Sequence, residues 1–301
     1  MKIKINLLTP LWTGGGDRQT DRIRETGILG SLRWWYEAVV RGPGKKACDP
    51  GKGKCSFDAR AYNQSKAEDE RQRLRDAGLC DVCQIFGATG WKRRFRLEII
   101  EDNTRPIWTP LDKMINIRPY GRTRGWYLPP GRMGTFSLNI SGDPGAVSLM
   151  AAFMLFLEKH GSIGAKPQLG YGFFQILNKE DIQNEIRKSR WEEISGSSAE
   201  KHNISGLPDL QNFLFFSYSF CPAIPGWWTR VPGISRVASY VQKSVSIYKI
   251  VPVAPALKNE WRFNQWQKKW GDDRDIFGAI RPDRKRSRIA ISWAYRLESG
   301  E

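Results

Sequence analysis

The chain has 301 residues, with 48 Lys and Arg against 31 Asp and Glu, a formal charge of +17 and an isoelectric point near 9.8. Hydrophobic residues make up 40% and aromatic residues 12%, with 13 Trp, which excludes a disordered basic tail and allows one large domain or two ordinary ones. A folded surface with this excess of cations suits nucleic acid, because each neutralised phosphate releases counterions, although a high isoelectric point also serves solubility alone.

Met1-Lys2-Ile3-Lys4-Ile5 alternates charged and apolar residues, as a half-buried strand does and a secretory signal does not. The strand spans residues 2–8 and ends at Pro10. A loop over 11–19 follows, containing Trp12 and Gly14-Gly15-Gly16. Ile28, Leu29, Leu32, Trp35, Tyr36 and Val39 then recur at helical spacing until Gly42-Pro43-Gly44 stops the helix. Residues 43–79 read as a polar insertion appended to the core, with a charged helix over 65–75, and the cysteine-bearing part of the insertion extends it to about 83. Strand signals at 95–100 and 134–140 flank an excursion that carries Arg118, Tyr120, Arg122, Arg124, Trp126 and Tyr127.

A buried helix over 146–159 comes next. Its apolar part ends at Glu158 and Lys159, short of the ~18 residues that suggest a membrane span, so a cytoplasmic protein with no membrane partner is expected. A glycine-rich loop over 161–172 leads into a strand over 173–177. The order β, α, β, β, α, β predicts an α+β fold of the ferredoxin-like type, an antiparallel sheet backed by two helices. This gives a first domain over 1–177 and a linker over 178–210, with Ser195-Gly196-Ser197-Ser198-Ala199 as the best boundary. A second, degenerate copy of the same unit is expected over 211–301.

Arg22, Arg24 and Arg33 stand at or on the first helix, and a helix N-terminus adds free N–H groups and partial positive charge that favour phosphate. Trp34 and Trp35 point about 100° apart on a helix, so at least one belongs to the core. The 161–172 loop is either a phosphate cradle or an ordinary αβ turn with glycine caps, and spacing alone favours the turn. Cys48 and Cys55, then Cys80-Asp81-Val82-Cys83, suit a closed tetrahedral zinc site that pins the insertion to the core. A disulfide and plain buried thiols are the alternatives, and Cys221 reads as packing.

Enzyme signatures are thin. His160 and His202 are the only two histidines, neither sits in a triad-like pattern, and His160 reads as a cap on the negative end of its helix. Asp17 and Asp21 are the acids that would hold metal for phosphodiester cleavage, but Arg18, Arg22 and Arg24 surround them and offer ion pairs instead.

Together these pieces resemble the RAMP superfamily, the repeat-associated proteins that build type III CRISPR effector complexes. The terminal glycine motif of that superfamily is similar to Gly161-Ser162-Ile163-Gly164-Ala165-Lys166-Pro167-Gln168-Leu169-Gly170-Tyr171-Gly172, and its Cys-x-x-Cys-x-Leu-Phe-Gly segment is similar to Cys80-Asp81-Val82-Cys83-Gln84-Ile85-Phe86-Gly87. More narrowly, Ile23-Arg24-Glu25-Thr26-Gly27-Ile28-Leu29-Gly30-Ser31-Leu32-Arg33-Trp34-Trp35 resembles the signature of the first-numbered Cmr subunits of type III-B complexes. Beyond Asn178 only Ile276-Phe277-Gly278, followed by residues 284–288, echoes a second unit.

The resemblance implies tandem ferredoxin-like units of RAMP or RRM-like type and a non-catalytic RNA-binding subunit acting in antiviral defence. Its implied partners are guide RNA near the 3′ region, single-stranded target RNA and other Cmr subunits. It also implies a zinc-bearing insertion, with Cys48, Cys55, Cys80 and Cys83 as ligands. The expected RNA contacts are Arg22, Arg24, Arg33, Lys92, Arg93, Arg94 and Lys166, with Arg122 and Arg124 beside Tyr120 and Trp126 as a second tier. Lys166-Pro167-Gln168 stands where the family carries arginines, which replaces a bidentate fork by a point charge. A metal-dependent ribonuclease using Asp17 and Asp21 is the rival reading, and a scaffold whose basic face meets acidic proteins is a third.

Overall fold

The computed structural model describes residues 1–14, 20–41, 45–48, 55–107, 115–117, 126–128, 131–167, 170–187 and 227–230. Four strands form the main sheet: β1 (Lys2–Leu7), β2 (Phe95–Pro106), β5 (Arg132–Gly142) and β6 (Phe174–Ile176), in the order β2-β5-β1-β6. Every neighbouring pair is antiparallel. With α1 (Glu25–Arg41) between β1 and β2 and α5 (Pro144–His160) between β5 and β6, this is the split βαβ arrangement that the element order implies. A two-stranded ribbon, β3 (Ile115–Ile117) with β4 (Trp126–Leu128), stands in the excursion between β2 and β5.

The register sorts the side chains. Ile3 faces Leu138 and Ile5 faces Phe136 across β1 and β5, and Leu97 faces Ile140 across β2 and β5. These residues are buried with Phe95, Phe174 and Ile176, and Ile28, Leu32, Trp35 and Tyr36 of α1 and Met150, Phe153, Met154 and Leu157 of α5 join the same cluster. Lys2, Lys4, Asn6, Thr135, Ser137, Asn139, Arg96, Glu98 and Gln175 take the other face by alternation. That face is polar and carries opposed charges, Lys2 pairing with Glu101 at 2.6 Å. None of these residues is aromatic, so this face lacks the stacking rings by which an RRM sheet holds bases.

Several boundaries differ from expectation for physical reasons. Strands β2 and β5 are longer than their apolar patterns because the ladder continues past a register shift at Ile99/Glu101 into polar residues. Helix α5 begins at Pro144, where the Asp143 carboxylate accepts from the Ala146 N–H at 2.9 Å. The helix expected over 65–75 is the shorter α3 (Glu70–Asp76), and a second short helix, α2 (Ala59–Gln64), precedes it. Asp58 and Asp69 each cap the start of one of them, and Ser65 ends α2.

The insertion is built into the core rather than appended to it. Leu74, Leu79, Val82, Ile85 and Phe86 are buried, and Phe86, at the end of α4 (Asp81–Phe86), lies 5.5 Å from Tyr36 and 5.2 Å from Phe95 between ring centroids. The linker expected from 178 begins with α6 (Lys179–Arg187), whose Ile182 and Ile186 are buried in the same cluster. The boundary at 195–199, His202, Cys221 and nearly all of the second unit over 211–301 lie outside the described residues; within that unit the described part is a single turn at Trp227–Arg230.

Candidate nucleic-acid interface and cysteine centre

Three segments meet at the N-terminal end of α1. The Thr13 hydroxyl accepts from the Arg24 backbone N–H at 3.0 Å and so caps the helix start from a distant loop. The Ser31 hydroxyl, one face further along α1, accepts from the Gly164 N–H at 2.9 Å, and Ala165 N–H donates to the Trp12 carbonyl at 2.9 Å. A side chain at Gly27 would meet Thr13 Cβ at 2.8 Å, and one at Gly164 would meet Leu11 Cδ1 at 2.5 Å. The glycines of the two motifs therefore permit the Trp12 loop, α1 and the glycine loop to lie in contact.

This packing decides between the two readings of the glycine loop. Ile163 N–H donates to the Gly172 carbonyl and Gly172 N–H to the Pro10 carbonyl. Together with Gly164 and Ala165, these N–H groups are spent inside the protein, as in an αβ turn, and none of them is left to cradle a phosphate. What it presents is Lys166, in a left-handed conformation with φ of 65°, its Nζ 4.7 Å from the centre of the Trp12 ring.

Arg22 is exposed on the same end of the molecule, and Arg24 pairs with Asp21 at 2.9 Å. The ion pair expected for Asp21 is present, whereas Asp17 and Arg18 lie outside the described residues. Arg132, which the sequence reading missed, donates to the Asp21 carbonyl, to Thr104 Oγ1 at 2.7 Å and to the Thr104 carbonyl at 2.6 Å. It ties the ends of β2 and β5 to the approach of α1. No local pattern marks it, because its partners are 28 and 111 residues away. Among the described residues, Trp12 Nε1, Thr20 Oγ1, Arg24 Nε and Ser162 Oγ are buried without a hydrogen-bond partner. These four belong to these segments or their immediate flanks, whereas Arg41 Nε and Arg73 Nε, elsewhere in the fold, share that burial, so such atoms are not confined to this end.

The remaining sequence candidates stand elsewhere. Lys92, Arg93 and Arg94 precede β2, at the opposite end of that strand from Arg132. Lys92 is exposed. Arg93 donates to the Phe95 carbonyl at 2.6 Å, and Arg94 pairs with Glu70 at 2.9 Å. Arg122, Arg124 and Tyr120 lie outside the described residues, as does the Trp126 side chain. Trp35 is buried, while Trp34 is 38% exposed and meets it edge-on at 5.2 Å. His160 closes α5 as expected, but burial, aided by Lys159, lowers its pKa and favours the neutral ring over a charged cap.

The cysteines form the second centre. Cys48, Cys55, Cys80 and Cys83 bring their four Sγ atoms within 4.8 Å of one another, and all four are free thiols. Four sulfurs around zinc at ~2.3 Å stand ~3.8 Å apart, and Cys48 Sγ lies 3.6 Å from Cys83 Sγ, so the donor set fits a tetrahedral metal. The hydrogen bonds from Cys48 and Cys83 hold the Cys80 thiol far below its usual range, and bonds to Cys48 and Cys80, with burial, push Cys83 up. Helix α4 supplies Cys83, its cap supplies Cys80, and two loops supply Cys48 and Cys55. Thirty-five residues separate Cys48 from Cys83, a spacing that leaves the pairing open in sequence.

Arg33 belongs to this centre and not to the mouth of α1. Its Nη2 donates to Cys83 Sγ at 3.2 Å, its Nη1 to the Gly87 carbonyl at 3.4 Å and its Nε to Glu37 at 3.1 Å. Among the described residues no helix is long and apolar enough to cross a membrane.

A family model described as the RAMP superfamily matches residues 4–175. No curated protein matches the sequence. Among solved structures, the chain is similar to one described as type III-B Cmr-beta bound to cognate target RNA and AMPPnP in the presence of ssDNA, at 16% identity and a TM-score of 0.35, covering 62% of this chain and 57% of that one. It is also similar to Cmr1 from Pyrococcus furiosus in its apo form, at 16% identity and a TM-score of 0.34, covering 93% of this chain and 78% of that one. Cmr6 from Pyrococcus furiosus matches at 16% identity and a TM-score of 0.29, covering 58% of this chain and 97% of that one. The alignment thus spans little more than half the length of the first of these chains.

Proposed function

The chain belongs to the RAMP superfamily, and from that membership we propose that it is a non-catalytic, RNA-binding subunit of a type III-B CRISPR RNA-guided effector (Cmr) complex. Its ligands are the 3′ region of the guide RNA and the target RNA paired with it or approaching it. The observation that carries this reading is the convergence of Arg22, Arg24 and Lys166 where the Trp12 loop, the start of α1 and the glycine loop meet. The three cations meet backbone phosphates, and the Trp12 ring offers an aromatic surface beside Lys166. Base pairing between guide and target, not the protein, sets the sequence read.

Support for the absence of catalysis is the pairing of Asp21 with Arg24, which commits the carboxylate to a cation. The cysteine centre holds a structural zinc in this reading: four sulfur ligands leave no open position for chemistry. Zinc there supplies folding energy and fastens the insertion.

Anisotropy of a labelled single-stranded RNA across a salt series tests the interface. Arg24→Ala and Lys166→Ala should each weaken binding and flatten the logarithmic salt slope by about 0.7 per lost phosphate contact. Equal slopes in wild type and both variants would sink the interface. Mg²⁺-dependent cleavage of that RNA, abolished in Asp17→Asn with Asp21→Asn, would replace the subunit reading by the ribonuclease.

A further inference from the structure

We propose that Arg33 is the charge partner of a metal-loaded cysteine centre, and that the row Arg33, Glu37 and Arg41 on α1 forms the outer shell through which the metal holds that helix. The inference rests on the reading of the cysteines as a metal site. Four thiolates around a divalent ion carry two net negative charges, and Cys80 and Cys83 are buried. A buried charge of this kind needs a partner close by.

Arg33 is placed to be that partner. Besides Cys83 Sγ at 3.2 Å, its Nη2 approaches Cys48 Sγ at 3.9 Å. Glu37, 4% exposed, takes Arg33 on one oxygen at 3.1 Å and Arg41 on the other at 3.3 Å. Arg41 Nη2 in turn donates to the Cys48 carbonyl at 3.0 Å. The spacing of four residues puts all three on one helix face, and both ends of the row land on ligands of the centre. The row carries one net positive charge, opposite in sign to the loaded site. Asp81, which follows Cys80, is engaged by Arg75 at 2.7 Å and by the Lys46 N–H at 3.0 Å.

The alternative, a phosphate contact, competes for the same atoms. Nε, Nη1 and Nη2 of Arg33 each have a protein acceptor, so the fork is spent where a phosphate would need it. A donor to a ligating sulfur also orients that ligand and stabilises its thiolate, and loss of such an outer-shell partner typically costs roughly 10- to 100-fold in metal affinity.

The test uses the full chain stripped of metal and titrated with Co²⁺ and with Zn²⁺ against a chromophoric chelator. The sulfur-to-cobalt absorbance reports a four-thiolate site. Wild type should take up one ion with that spectrum, Arg33→Met should bind it roughly 10- to 100-fold more weakly, and Arg33→Lys, a point charge without the fork, should fall between them. RNA affinity and salt slope of metal-loaded Arg33→Met should equal those of wild type. No metal uptake by wild type would overturn the metal reading itself. Uptake by wild type with unchanged affinity in Arg33→Met would overturn the role of Arg33 alone. Should Arg33→Met fail to fold, wild-type affinity in Arg33→Lys would overturn it. Unchanged metal affinity with weakened RNA binding would return Arg33 to the RNA interface.

Discussion

Lys166, at the proposed RNA interface, is held in a costly backbone conformation. Its φ of 65° is a conformation that costs an L-residue roughly 1–2 kcal/mol, and the chain keeps a lysine there although glycine would fit without strain. Lys166→Gly should therefore leave the thermal midpoint unchanged or raised, while weakening single-stranded RNA binding. Calorimetry on the same samples used for binding checks both halves of that expectation. A fall in both quantities would mean that the lysine stack on Trp12 is structural. Arg24 and Arg33 make the complementary point. Both are arginines of one motif, nine positions apart, yet one stands at the capped start of α1 and the other reaches two cysteine sulfurs.

At the scale of elements, α6 extends the first domain past the strand that closes its sheet. It lies against α5, and Ile182 and Ile186 sit four apart on the face turned to the core. Each buried isoleucine contributes about 1.5–3 kcal/mol by area removed from water. Ile182→Ala should cost about 2–5 kcal/mol, the range for deleting a buried aliphatic side chain, measured as a shift in the urea midpoint. A change within about 0.5 kcal/mol would show that the helix is dispensable surface. The polar composition after Asn178 concealed this helix, since its apolar residues are few although correctly spaced. The insertion misled in the same way: its charged surface dominates its composition, while Leu74, Leu79, Val82 and Ile85 complete the core.

For the whole molecule, the cysteine centre binds the insertion, α4 and α1 into one packed unit, so metal removal should act beyond the insertion. Chelation under reducing conditions should lower the melting temperature and open residues 45–86 to proteolysis before the sheet. Melting and cleavage patterns that ignore the chelator would count against a structural metal. Apart from Arg33, the described cations expected to contact RNA fall into two groups, Arg22, Arg24 and Lys166 at one end of the sheet and Lys92 to Arg94 at the start of β2. An RNA strand touching both has to cross the molecule, whereas one phosphate meets only one group. On the proposed RNA-binding reading, the +17 charge favours an extended strand, for which many weak contacts add up.

Sequence alone determined the split βαβ order of the first domain, the buried faces of β1, α1 and α5, and the family, and it offered the four cysteines as candidates that only the fold gathers into one donor set. These are periodic or motif properties, carried by residues close in the chain. Tertiary structure decided that the glycine loop spends its amides on Pro10, Trp12, Ser31 and Gly172, that Arg33 turns to the cysteines, that Arg132 clasps the approach to α1, and that α6 belongs to the core. Each of those outcomes depends on which distant acceptor or apolar surface lies within a few ångströms, and chain separation does not encode that distance.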